Sequence, residues 1–192
     1  MGVIMMLLEI VFGLVVASAQ AADRPPIPYV DQGACPFECC TYRNWKAKEP
    51  ALAYSESKDG SPIAFDIKPG STVNAETGFV VTSKVGVMKV LKPIRLGQDP
   101  KKPSPEPSLD LKPGELIYTL HYLGEGYELF WYKGKLYSDQ IAADKVDPDP
   151  PPADLELQTL SLPDADWWVK VRAKDGRKGW IKNPRNFEGS CS

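Results

Sequence analysis

The sequence predicts an all-β protein of short strands, and three observations carry that prediction. Beyond residue 22, no stretch holds apolar residues at the helical 3.6 spacing for more than a turn or two. Glycine-centred turn signals (Asp59-Gly60, Gly124-Glu125-Gly126, Lys133-Gly134, Asp175-Gly176) separate runs in which apolar and polar residues alternate. Finally, Phe65-Asp66-Ile67-Lys68-Pro69-Gly70-Ser71-Thr72-Val73 recurs 44 residues later as Leu109-Asp110-Leu111-Lys112-Pro113-Gly114-Glu115-Leu116-Ile117, with four identities and apolar matched to apolar. In each copy Pro sets φ for the first central position and Gly supplies a positive φ at the second, which predicts a type II turn between strands.

The first element is a secretory signal peptide. Val3 to Val16 is almost wholly apolar and runs into small residues that end in two A-x-A sites, at Ala19 and Ala21. Ala21 is preferred because it leaves about five residues after the apolar core. Glu9 interrupts the run, and no Lys or Arg precedes it. The stretch from Ile10 to Ala19 is far short of the ~20 residues needed to span a bilayer. No other apolar segment approaches that length, so the mature chain is expected to be exported, periplasmic or extracellular, without a membrane span.

Residues 22–50 are expected to be extended and to carry the cysteines. Pro25, Pro26 and Pro28 make the lead-in polyproline-like. Three of the four cysteines cluster as Cys35, Cys39 and Cys40, and the fourth is Cys191. In an oxidising compartment an even count predicts disulfides. Adjacent cysteines are poor partners, so the expected frameworks join Cys35 to Cys39 or Cys40, and the remaining cluster cysteine to Cys191. The second bond would close a loop of about 150 residues. C-x3-C-C lacks the paired C-x2-C spacing of structural zinc sites, so no metal is expected.

The repeat predicts two units, 51–98 and 108–185, separated by a Pro-rich linker at 99–107 and followed by a tail at 186–192. In each unit the Lys-Pro-Gly turn leads through a strand to a hairpin, Glu76-Thr77-Gly78 in the first and Gly124-Glu125-Gly126 in the second, and on to another strand. Asp147-Pro-Asp-Pro-Pro-Pro marks an insertion at 138–163 in the second unit, in which Ala153 to Leu160 has room for a short helical turn.

The C-terminal segment Asp166-Trp167-Trp168-Val169-Lys170-Val171-Arg172, then Asp175-Gly176-Arg177-Lys178-Gly179-Trp180-Ile181, resembles the closing hairpin of bacterial Src-homology-3-like (SH3-like) domains. The resemblance covers about 108 to 182, and more weakly 51 to 92. It implies two small barrels and a binding or targeting module of an exported protein, often directed at cell-wall peptide, with no catalytic activity.

Composition restricts the chemistry. A net charge of −2 with dispersed Lys and Arg gives no footprint for nucleic acid. One histidine removes most catalytic and metal-site templates. His121 has no accompanying Ser or Cys motif and is expected to be a half-exposed strand residue; Glu125 is expected to be a solvated loop charge. Neither a cofactor nor enzymatic activity is expected.

Strand period places Trp167, Val169 and Val171 on a core face, and Trp168 outside with Lys170 and Arg172. Residues 118–137 hold seven aromatics, Tyr118, Tyr122, Tyr127, Phe130, Trp131, Tyr132 and Tyr137, more than a small barrel buries. Tyr122, Tyr127, Trp131 and Trp168 are therefore the candidate lining of an aromatic groove for a peptide, peptidoglycan or envelope-protein partner. The alternative is a structural envelope protein with those aromatics in its core. A role as accessory to a cell-wall hydrolase is a more distant one.

Overall fold

The structure, a computed structural model that describes residues 23–96, 108–141 and 143–189, turns the chain at both Lys-Pro-Gly segments. Gly70 and Gly114 have φ of 79° and 92°. The amides that follow them, Ser71 and Glu115, donate to the carbonyls of Lys68 and Lys112 at 3.0 and 3.1 Å, the geometry of a type II turn. Each turn also docks on an earlier strand in the same way. Gly70 N–H donates to Ala47 O at 2.7 Å and Ala47 N–H to Ser71 O at 2.9 Å; Gly114 N–H donates to Val90 O at 2.8 Å and Val90 N–H to Glu115 O at 2.9 Å.

The strands in chain order are β1 (Tyr29–Gln32), β2 (Asn44–Ala47), β3 (Ala51–Tyr54), β4 (Ile63–Ile67), β5 (Thr72–Lys84), β6 (Gly86–Val90), β7 (Ile94–Leu96), β8 (Leu109–Leu111), β9 (Leu116–Gly124), β10 (Tyr127–Tyr132), β11 (Lys135–Gln140), β12 (Leu157–Ser161), β13 (Asp164–Ala173), β14 (Lys178–Lys182) and β15 (Phe187–Glu188). No helix occurs among the described residues, so none there is long and apolar enough to cross a membrane. The all-β class is as the sequence predicts.

The pairing departs from two consecutive units. One curled sheet runs β15-β2-β5-β13-β14-β3-β4, with β1 also on β5; the other runs β11-β10-β9-β6-β12, and β7 and β8 pair separately. Taken from its own Lys-Pro-Gly turn, each sheet has the same plan. The turn docks on β2 or β6 and opens into β5 or β9. A hairpin, β13–β14 or β10–β11, pairs along the far side of that strand, and β15 or β12 covers the near edge. Thus β15-β2-β5-β13-β14 and β12-β6-β9-β10-β11 are one strand order, and the second set lies in sequence between β5 and β13. The chain leaves the first sheet at Lys84 and re-enters it at Asp164, which pairs with Lys84.

The nesting follows from β5. The hairpin expected at Glu76-Thr77-Gly78 does not form, because β5 continues unbroken for 13 residues. Gly78 is there for close packing and not for a turn: a Cβ on it would meet the Tyr42 side chain, the Trp168 carbonyl oxygen at 2.7 Å and Trp167 Nε1 at 2.9 Å. With no local partner for its second half, β5 takes β13, and the Trp-x-Lys-Val hairpin closes the first sheet instead of the second. The Pro-rich linker expected at 99–107 lies outside the described residues; the strands on either side of it, β7 and β8, pair with each other. Leu157 to Ser161, inside the expected insertion, pairs with β6 as a strand where a helical turn was expected.

Each sheet has its own core. Trp45, Val73, Trp167, Val169, Val171 and Phe187 belong to the first, with the three β13 residues on the face that alternation predicts. Met88, Ile117, Phe130 and Tyr132 belong to the second. Trp45 faces Val73 across β2–β5 as Met88 faces Ile117 across β6–β9, so these are equivalent positions. Burying side chains of this size contributes roughly 2–3 kcal/mol each. Cys35 is bonded to Cys40, one of the pairings the spacing allowed. Cys39 is also disulfide-bonded; the expected link to Cys191 lies outside the described residues, as does the signal peptide.

Candidate functional site

Where the two sheets meet lies a cavity of about 1040 Å³ that is open to solvent on one side. The first sheet supplies Val80 from β5 and Ala165 and Trp167 from β13. The second supplies His121 and Tyr122 from β9, Glu128 from β10, and Ile141 and Ala143 beyond β11. Pro36 and Phe37 of the Cys35–Cys40 loop close one side. That loop is held against Trp167: the Phe37 ring meets the indole edge-on at 5.3 Å, and Trp167 Nε1–H donates to Ala34 O at 3.1 Å. The Tyr42 hydroxyl donates to the same carbonyl. Asp144 and Arg185, both exposed, lie at the rim.

Three polar groups enter this mainly apolar space. His121 is 4% exposed, where a half-exposed residue was expected. The reason is β1, which pairs with β5 and brings Asp31 Oδ2 to 2.9 Å from His121 Nε2. The other ring nitrogen, Nδ1, faces Tyr122 O at 2.8 Å; a carbonyl can only accept, so Nδ1 donates, and Nε2 makes the second hydrogen bond of the ring, with Asp31. The Tyr122 hydroxyl donates to Glu38 at 2.7 Å and accepts from Gly126 N–H at 2.9 Å. The third group, Glu128, is 7% exposed. No described residue donates a hydrogen bond to its carboxyl. Its carboxyl is pushed up to about 7 by burial, with the nearby His121 charge opposing.

Of the four aromatic candidates, only Tyr122 lines the cavity. Tyr127 and Trp131 are half-buried on the face of β10 opposite Glu128, Phe130 and Tyr132; Tyr127 pairs with Gly124 and Gln140, Trp131 with Tyr118 and Leu136. Trp168 lies on the other face of β13 from Trp167, as expected, but is only 4% exposed. The Tyr54 ring covers it edge-on at 6.3 Å and the Lys182 ammonium at 5.7 Å. Tyr122 and Trp168 thus belong to different surfaces. Glu125 is exposed in the β9–β10 turn, as expected.

Sequence reasoning missed Glu128 and assigned Trp167 to packing alone. A signal for Glu128 was present: Glu128, Phe130 and Tyr132 share the inward register of β10, and only the first is charged. Comparison of the chain with protein-family models, curated proteins and solved structures finds no match.

Proposed function

We propose that this is an exported, non-catalytic binding protein whose ligand occupies the cavity between the two sheets. The observation that carries the reading is the cavity itself. It has the size of a small-molecule site, about 300–1,000 Å³, a mainly apolar wall, and a few polar groups directed inward. The Cys35–Cys40 disulfide supports an oxidising compartment. Against catalysis, the described lining contains no Ser, Thr, Cys or Lys, and both ring nitrogens of His121 are engaged. An SH3-like origin rests on the sequence alone, on the repeated Lys-Pro-Gly motif and the Trp-Trp-Val-Lys-Val segment of β13. A peptide, a peptidoglycan stem or an envelope protein that inserts an apolar group would fit the site. Burial of Trp168, Tyr118 and Tyr132 favours a structural role for those particular aromatics.

The neutral apolar dye N-phenylnaphthylamine tests this reading. The native protein should bind it saturably, one per chain, and Ala165→Trp, which fills the cavity, should lose binding while keeping native circular dichroism. Ala143→Trp fills the space from the opposite wall should the first variant fail to fold. Absence of saturable binding to the native protein, or binding unchanged in both filled variants, would overturn the proposal.

A further inference from the structure

Glu128 is the buried ionisable group of the cavity wall that lacks a partner among the described residues. His121, beside it, has both ring nitrogens engaged, by Tyr122 O and by Asp31. Asp144 and Arg185 stand at the exposed rim, of opposite sign, and no ion pair joins Arg185 to Glu128. A carboxyl in such surroundings is costly to ionise unless something donates to it and compensates its charge. A neutral donor such as an alcohol supplies only the hydrogen bond, whereas a cation supplies both. A second carboxylate would be repelled.

We infer that the cavity takes a small amphiphilic amine, its ammonium against the Glu128 carboxylate and its apolar body along Phe37, Ile141, Ala165 and Trp167. This rests on the cavity being a binding site. Ammonium binding requires the ionised carboxylate, and the groups around Glu128 set when that form is available. They are His121 and Tyr122 on β9, Asp139 opposite on β11, and Gln140, Asp144 and Arg185 around the cavity. Burial dominates and keeps the free carboxyl half-protonated near neutrality, so amine affinity should rise from about pH 6 to about pH 8.

Calorimetric titration with decylamine, decanol and decanoate at about pH 8 provides the test. Native protein should bind decylamine at least about tenfold more tightly than decanol, as a hydrogen bond to a charged group implies, and decanoate least. Glu128→Gln should abolish the preference for the amine while holding decanol affinity within about twofold. Equal affinities for amine and alcohol in the native protein, or a preference that survives Glu128→Gln, would overturn the inference. If the neutral dye binds but the amine is not preferred, this inference alone fails; if neither binds, the cavity reading fails with it.

Discussion

The two sheets share a strand order but are held together differently. In the first, β5 and β13 must find each other across the whole second sheet, and closing so long a loop carries an entropic cost. Its core is correspondingly heavy: Trp45 packs against Trp167 and Phe187 at 5.9 and 5.8 Å. A disulfide and the additional strand β1 brace its edge. The second sheet closes locally through the β9–β10–β11 meander, and the position of Trp45 is filled by Met88. Its reinforcement is polar. Glu115, which replaces Ser71 after the Lys-Pro-Gly turn, accepts from Lys112 N–H at 2.7 Å, the Tyr132 hydroxyl at 2.7 Å and Lys133 at 2.9 Å. Those donors, Lys133 first, pull its carboxyl down to about 2. One topology thus tolerates either a long-range closure with an aromatic core or a local closure with a clamped turn.

Excising the inner set probes this comparison most severely. Because Asp164 pairs with Lys84, replacing residues 85–163 by Asn-Gly should join β5 to β13 as a hairpin and leave a folded first sheet with native-like near-ultraviolet circular dichroism of its tryptophans. A chain that only aggregates would show that the first sheet depends on the second. Next in size, Trp45→Ala should cost about 3–5 kcal/mol and Met88→Ala about 2–5 kcal/mol in urea unfolding. If the two cores unfold separately, each substitution moves only its own transition.

Glu128 gives the third effect. Its folded pKa, about 7, lies above the ordinary 4.5, so the folded state holds the proton more tightly than the unfolded chain. Stability is therefore unaffected below about pH 4.5, falls as pH rises toward about 7, and levels off above it, a loss of up to about 3 kcal/mol. Glu128→Gln should flatten that slope, and an unchanged slope would place the burden elsewhere. Glu115 has the opposite sign: its contribution is present above about pH 4.5 and is lost as pH falls toward about 2. The smallest effect is at the turns. Gly70→Ala and Gly114→Ala should each cost about 1–2 kcal/mol, since both glycines hold positive φ and an added Cβ meets no neighbour at either position. A large inequality would mean that the Glu115 clamp resists the strain.

Local features were legible because local rules decide them. Turn chemistry gave Gly70, Gly114, Gly126 and Gly176, and alternation gave the inward Trp167, Val169 and Val171. The nesting was not legible, since nothing within β5 states that its partner lies 80 residues on, and Gly78 looks the same in sequence whether it turns a chain or lets one pass close by. The site was half legible for the same reason. Tyr122 follows from composition, but the burial of His121 depends on Asp31 and that of Glu128 on where the two sheets meet.

The central claim is that the junction of the two sheets is a ligand site, and intermolecular nuclear Overhauser effects from bound decylamine examine it directly. The alkyl protons should show effects to the Trp167 indole, the Phe37 ring and the Ile141 methyls, all of which line the cavity. Effects confined to exposed residues such as Leu136 and Val146, with none to Trp167, would contradict it.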